Sequence, residues 1–273
     1  MKKTGDIVTY LILIAYTVLA IFPLYWLVTT SFKEPLNVFS VTPLGFFKLT
    51  LDNYKTLLFN NSFPRYLLNS MLISLIAIAI TLPVGTCAGY AFARLPIRKK
   101  DTWFMTILST RMAPPVAFAV PIYLFIVRLG LIDSHIGLIA VYVFMNLAFC
   151  TWMTKGFFEE LPPEIEEAAL VDGCTRFGAF LKVAIPLTKG GLIATAILMF
   201  IFTWNEFFFA SILTQNAAKT FTVHLTSFFG SRRILWGELA AASTIGSIIP
   251  IIFAVLTRRY MVRGLTMGIV KEN

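Results

Sequence analysis

The sequence predicts an all-α integral membrane protein with six transmembrane helices and a short cytoplasmic helix between the fourth and the fifth. Three observations carry that expectation. Hydrophobic residues make up 58% of the 273 and charged residues only 14%, too little polar material to coat a water-soluble surface, so the bilayer must supply the solvent. Six long stretches are nearly free of charge. The basic residues gather in alternate connections, as the positive-inside rule requires.

The six stretches are residues 7–32, 67–92, 102–127, 136–154, 190–215 and 239–257, each 19 to 26 residues long. At ~1.5 Å rise per residue even the shortest covers roughly the ~30 Å hydrocarbon core. Met1, Lys2 and Lys3 before the first stretch look like the start of a signal peptide. The stretch is longer than a signal core and lacks a convincing small-residue cleavage site, which predicts a retained first helix. Gly85 and Gly89 in the second stretch, and Ser243, Gly246 and Ser247 in the sixth, offer small surfaces where helices can approach closely.

Arg111 and Glu206 are the charged residues within these stretches. An uncompensated charge at mid-membrane costs at least ~2.5–3.5 kcal/mol. Arg111 is followed by Pro114, Pro115 and Pro121, whose rings release backbone carbonyls that need a polar partner at this depth. Two readings stand for the third stretch: a kinked, cavity-lining helix, or a helix end from which Arg111 snorkels to the interface. Glu206 follows Trp204 and Asn205, a set able to line a solute path by hydrogen bonding and stacking. The other reading places Glu206 near the outer end of its helix or in a pair with another subunit.

Of the 23 Lys and Arg residues, 14 lie in the connections of one side, 8 in those of the other, and Arg111 within a stretch. Both termini are therefore expected in the cytoplasm. Residues 33–64 hold Pro35, Pro43, Asn53, Asn60 and Asn61, a composition for an irregular or partly helical outer cap that is too short to be a domain. The chain thus reads as a single transmembrane domain over 1–273. The net charge of +9 marks membrane topology and not nucleic-acid binding, since no basic cluster sits on a soluble domain. Cys87, Cys150 and Cys174 suggest structural thiols and no disulfide framework. His135 and His224 fall near outer connections, where solvation is expected, and neither belongs to an H-E-x-x-H zinc pattern. No G-x-x-x-x-G-K-[ST] phosphate loop occurs, so nucleotide chemistry has to come from another chain and no cofactor is expected on this one.

The cytoplasmic segment 155–189 has its own helix grammar. Pro162 and Pro163 open it, and Glu164, Glu166 and Glu167 follow where carboxylates complement exposed N–H groups and the helix dipole. Gly173 is placed to stop that helix. A second short helix is expected around residues 177–183, with Pro186 preceding re-entry into the membrane.

Glu167-Ala168-Ala169, then Gly173, then Val183-Ala184-Ile185-Pro186 resembles the Glu-Ala-Ala loop of the integral-membrane subunits of bacterial ABC importers. Val183 and Ile185 are conservative departures from its Ile-x-Leu-Pro end. Asn69-Ser70, Ala91-Phe92-Ala93-Arg94-Leu95, Trp204-Asn205-Glu206-Phe207 and Arg263-Gly264-Leu265-Thr266 extend the likeness over nearly the whole chain, toward the maltose-type sugar permeases.

The resemblance implies a single transmembrane permease domain in a bacterial cytoplasmic (inner) membrane, surrounded by lipid. Its implied partners are a second permease subunit, an ATPase subunit dimer that binds ATP and Mg, and an extracytoplasmic solute-binding protein that delivers a carbohydrate-like solute. Glu167, Ala168, Ala169, Asp172 and Gly173 would form the coupling surface for the ATPase. Asn69, Arg111, Trp204, Asn205 and Glu206 are candidates for the substrate path. Residues 216–238, with Lys219, Arg232, Arg233 and Trp236, would meet the binding protein. Three alternatives remain at this point: the cytoplasmic helix is only an amphipathic connector; the protein is a proton- or sodium-coupled carrier with Arg111 and Glu206 as its ion-linked pair; or it is an intramembrane enzyme, for which no nucleophile, base or metal set is recognisable.

Overall fold

The computed structural model describes residues 2–34, 38, 47–59, 61–230 and 234–266, with side chains described only between residues 7 and 255. Pro35, Pro43, Asn60, Arg232, Arg233 and Lys271, and the side chains of Lys2, Lys3, Arg258, Arg259 and the Arg263 to Thr266 motif, lie outside the described set. In chain order the helices are α1 (Lys2–Ser31), α2 (Asp52–Phe59), α3 (Phe63–Arg94), α4 (Lys100–Met112), α5 (Pro115–Arg128), α6 (His135–Glu160), α7 (Pro163–Val171), α8 (Arg176–Ala179), α9 (Ile185–Trp204), α10 (Phe208–Leu213), α11 (Phe221–His224) and α12 (Trp236–Thr266). Among the described residues five helices are long and apolar enough to cross a membrane, or six when α4 and α5, bent by 94° at a short break, count as one span.

The break in the third span follows from its prolines. Ala113 is extended (φ −72°, ψ 141°), the conformation forced on a residue that precedes proline. Pro114 is extended as well, and Pro115 starts α5, where its missing N–H is one that a helix leaves unbonded anyway. The sharp bend replaces the continuous helix over residues 102–127, and Arg111 falls in the last turn of α4.

The fifth span differs from expectation at both ends. The short helix expected around residues 177–183 is no separate element: α8 runs through a π turn at Phe180–Ala184 into α9, so Arg176–Trp204 is one 29-residue span. The Ile185 N–H bonds to the Phe180 carbonyl, five residues back. That widened turn lies immediately before Pro186, whose ring would crowd the carbonyl four residues earlier in an ordinary α-helix. At the other end the helix stops at Trp204, and a non-helical step at Glu206 and Phe207 separates it from α10.

Packing falls into two compact units, Met1–Leu67 with Val223–Ile249, and Leu68–Thr222 with Pro250–Asn273. In the first, the Asn53 amide donates to the carbonyls of Ser31 and Lys33, both at 2.9 Å, which satisfies the end of α1. Gly237 at the start of α12 lies against Asn53, where an added Cβ would come within 2.6 Å of its side chain. Lys33, counted as an outer-loop charge in the sequence, is fully buried with its ammonium 4.8 Å from the Trp26 ring and 5.1 Å from the Phe47 ring, in cation–π contact. His224 is likewise not solvated as expected. It is buried against Tyr66 and Phe228, with centroids 4.8 and 5.3 Å away, and its Nδ1 lies 3.2 Å from the Ser227 hydroxyl.

The second unit is held by close helix approach. Gly85 and Gly89 of α3 face α6: a Cβ on Gly85 would lie 2.5 Å from Cys150 Sγ, and one on Gly89 would meet the Thr154 side chain and come within 2.8 Å of the Lys155 backbone nitrogen. The Thr154 hydroxyl reaches across to the Gly85 carbonyl at 3.1 Å. Gly191 of α9 receives the Phe157 ring in the same manner, at 2.5 Å from a would-be Cβ. Small residues thus bring α3, α6 and α9 together where lipid offers no hydrophobic drive for helices to associate. Cys87, Cys150 and Cys174 are free thiols.

Candidate functional site

The loop between α6 and α9 builds an exposed helix on a buried anchor. Pro163 is the first residue of α7, and Glu164 and Glu166 occupy its first turn. At the far end the Cys174 N–H bonds to the Ala169 carbonyl at 2.9 Å and the Gly173 N–H to the Leu170 carbonyl at 3.1 Å. Gly173 has φ +85°, so α7 ends in a Schellman motif with glycine in the left-handed position. Thr175 then caps α8 by accepting the Gly178 N–H at 3.0 Å.

Glu166 is the anchor. It is 7% exposed and accepts the Tyr90 hydroxyl at 2.6 Å and the Arg94 Nε–H at 2.7 Å, while Arg94 Nη2 donates to the Leu161 carbonyl at 2.7 Å. Beneath it Phe158, Phe180 and Ala184 form a small core, with Tyr90, Ala93, Leu161 and Ile185 packed against it. The end of α3 therefore grips the start of α7. Glu167, Ala168, Asp172 and Gly173 are exposed and Ala169 is half-buried. Ile165, Val171 and Phe177 add an apolar surface, exposed by 42, 87 and 64%.

Arg111 and Asn205, of the five path candidates, line one cavity of about 410 Å³ with Thr110, Phe118, Phe144, Phe202 and Phe209. The guanidinium donates to the Met145 carbonyl at 3.2 Å and lies over the rings of Phe202 and Phe149, at 5.0 and 5.8 Å from their centroids. The Asn205 amide donates to the Ile201 carbonyl at 2.8 Å, which leaves its oxygen as an acceptor.

The other three candidates are placed elsewhere. Trp204 is 1% exposed between Phe200 and Phe221, with centroids 5.5 and 4.9 Å away. The Glu206 carboxylate accepts the backbone N–H groups of Phe209 and Ala210, at 2.8 and 3.0 Å, and the Tyr142 hydroxyl at 3.0 Å. It thus caps the first turn of α10, and no ion pair joins it to Arg111 among the described residues. Asn69 donates to the carbonyls of Ala217 and Lys219, both at 2.9 Å, and its Oδ1 faces His135 Nε2 at 2.9 Å.

Asp133, which the sequence did not single out, holds the same loop from the other side. Its carboxylate accepts the N–H groups of Gln215, Asn216, Ala217 and Ala218 at 2.8 to 3.1 Å, and its own N–H donates to the Leu213 carbonyl at 2.9 Å. Burial pushes its pKa up, but the four backbone N–H groups outweigh that and hold it down at about 2, against an ordinary 3.8. A depressed pKa contributes stability that is complete above the unfolded value and lost as pH falls through the folded one. The clamp should therefore hold above about pH 4 and release as pH approaches 2. Asp133→Asn should cost about 2 kcal/mol, because hydrogen bonds to a charged group are worth ~1.5–3 kcal/mol, and should flatten the acid limb of stability. Thermal unfolding of both proteins between about pH 5 and about pH 2, a range that spans the shift, measures this; identical acid limbs would show that the carboxylate does not hold the loop. The visible signal in the sequence is slight: a lone acidic residue before the Ser134 cap of α6.

Apolar spans, a helix broken beside a cavity that holds an arginine, and an exposed loop helix gripped at a span's end make a multi-pass membrane protein. The chain belongs to the family of binding-protein-dependent transport system inner membrane components, whose profile matches residues 82–267. It is 36% identical over 251 residues to the probable ABC transporter permease protein y4oR of Sinorhizobium fredii, covering 92% of this chain and 90% of that one. It is 33% identical over 262 residues to the trehalose/maltose transport system permease protein MalG of Thermococcus litoralis, covering 94% of each. In fold it matches a bacterial ABC transporter involved in the import of the acidic polysaccharide alginate, with a TM-score of 0.81 at 22% identity over 94% of this chain and 96% of that one. Membership in a permease family sets aside the ion-coupled carrier and the intramembrane enzyme.

Proposed function

We propose that this chain is one of two permease subunits in a binding-protein-dependent ABC importer for a carbohydrate or carbohydrate-like solute, and forms half of the translocation path. The observation that carries the reading is α7: a short helix, anchored from within by Glu166 and Arg94, that presents Glu167, Ala168, Asp172 and Gly173 outward. Ala168 and Ala169 let another surface come close, Gly173 gives the chain a sharp exit, and Glu167 can meet a basic or amide partner. An ATPase subunit pair that binds ATP and Mg seats this helix from the cytoplasm, where both chain termini also lie, and hydrolysis takes place in that pair. A solute-binding protein delivers the cargo at the outer face, which includes residues 216–238. The trehalose/maltose name of the Thermococcus relative supports a saccharide cargo. Closure of the ATPase pair moves α7, and the grip of Arg94 and Tyr90 on Glu166 passes that movement to α3.

The test is affinity purification of the tagged chain from mild-detergent membranes, followed by identification of the co-purifying proteins and an ATPase assay. A second permease and an ATPase pair are expected, with ATP hydrolysis. Recovery of the chain without an ATPase, even after crosslinking in intact membranes, would sink the reading.

A further inference from the structure

The broken third span leaves a cation facing a cavity. Arg111 lies about 17 Å along α4 from Lys100 at the ordinary helical rise, roughly half the depth of the hydrocarbon core. Its guanidinium carries five N–H donors. Among the described residues its hydrogen bond is the one to Met145, and no carboxylate forms an ion pair with it. The negative end of α4 offsets part of this charge, but the positive end of α5 opens at the same break, lining the cavity with Pro115 and Phe118; the two helix ends oppose each other and the arginine remains as the net charge. Glu206, which does not line the cavity, is committed to the amides of Phe209 and Ala210. The cavity's 410 Å³ falls at the small end of ligand-site volumes. Its aromatic walls suit the C–H faces of a sugar ring, and the Asn205 oxygen suits a hydroxyl.

Resting on the importer reading above, we propose that the Arg111 cavity is a solute site in the translocation path and that it takes anionic carbohydrates, saccharides bearing a carboxylate. The acidic group pairs with the guanidinium, for which the described residues supply no counter-ion, and the ring packs between Phe118, Phe144, Phe202 and Phe209. Phe149 and Phe202 hold the arginine in place by their faces, so it is oriented before the solute arrives.

The experiment gives cells carrying the complete importer an isotope-labelled panel of neutral saccharides (maltose, trehalose, cellobiose) and uronic acids (glucuronate, digalacturonate). Importer-dependent uptake is expected for the uronic acids. Arg111→Gln should lower it at least tenfold and Arg111→Lys should retain a substantial part. Asn205→Asp, which sets a carboxylate on the same wall, should behave as Arg111→Gln while the ATPase pair still co-purifies; this variant decides the matter if Arg111→Gln fails to assemble. Importer-dependent uptake of the neutral sugars alone, or uronic-acid uptake indifferent to Arg111→Gln and Asn205→Asp, would overturn the anion site and leave the carbohydrate importer standing. Equal loss of neutral and anionic uptake in Arg111→Gln, with Asn205→Asp normal, would assign Arg111 to a pair with the second permease and also overturn it. Uptake of no saccharide, from a complex that still contains the ATPase, would overturn both the site and the saccharide cargo.

Discussion

Gly173→Asp and Glu167→Lys are expected to abolish ATP-driven uptake while both variants reach the membrane at wild-type levels. Gly173 sits at φ +85°, and a Cβ built there meets nothing within 4 Å. An L-residue in that conformation costs about 1–2 kcal/mol, a local penalty at an exposed helix end, while the new carboxylate projects where a docked partner would sit. Glu167 is exposed as well, and lysine reverses its sign without touching the interior. Neighbouring Glu166 is of a different kind. It is buried with Arg94 at 2.7 Å, and removing one partner of such a pair costs ~3–5 kcal/mol, so its loss would undermine the loop itself. Uptake of labelled solute, membrane content by immunoblot and recovery of the ATPase pair together measure the effect. Normal uptake by either docking variant at wild-type abundance would defeat the assignment of α7.

Gly89→Leu should strongly destabilise the protein and lower its unfolding temperature. The new side chain would meet Thr154 and lie within 2.8 Å of the Lys155 backbone nitrogen, and backbone in a packed helix pair cannot step aside as a flexible side-chain tip can. Overpacking typically costs ~1–3 kcal/mol; a leucine at a backbone-to-backbone crossing should reach or exceed the upper end. Gly156→Leu is the control on α6, since a Cβ there has open space, and it should unfold near the wild-type temperature. Thermal unfolding of the solubilised proteins compares them. A wild-type midpoint for Gly89→Leu would mean that α3 and α6 do not depend on this approach.

Much of this architecture was legible in the sequence because it rests on local chemistry. Uncharged length announced the spans, Pro114 and Pro115 the break beside Arg111, and Pro163 and Gly173 the two ends of α7. The small pair Gly85 and Gly89 marked a close crossing, though not the helix it faces. What escaped was tertiary. Arg94 read as one more topology charge and Glu166 as one more first-turn carboxylate; the 72 residues between them hid their pairing. The end of the fifth span at Trp204 was invisible in an apolar run, because the break is sustained by Glu206 turning back onto the amides of α10 and by the Thr222 hydroxyl bonding to the Glu206 carbonyl at 2.9 Å. His224 looked solvated by position, yet Phe63 and Tyr66, distant in sequence, enclose it, and Lys33, counted as a connection charge, is covered by the rings of Trp26 and Phe47. Among the path candidates, Arg111 and Asn205 meet at one cavity, whereas Asn69 holds a loop; sequence spacing could not separate a solute contact from a brace.

The first helix differs from the others in what surrounds it. Its apolar window, from Ile7 onward, has the highest hydropathy of the spans at 2.4 and is 0% buried, whereas that of α6 has 1.9 and is 50% buried. In chain order α1 precedes α2 to α12, so it is synthesised before those helices can cover it. Leu, Ile, Phe and Val at a helix centre each favour insertion by about 0.3–0.6 kcal/mol, so α1 can enter the bilayer and remain there on its own composition. By contrast α6 carries Thr154, whose hydroxyl reaches the Gly85 carbonyl of α3, and reaches its final surroundings only once that neighbour is in place. The chain is therefore suited to assembly in two stages: an autonomous anchor commits it to the membrane, and the more polar helices settle against one another afterwards.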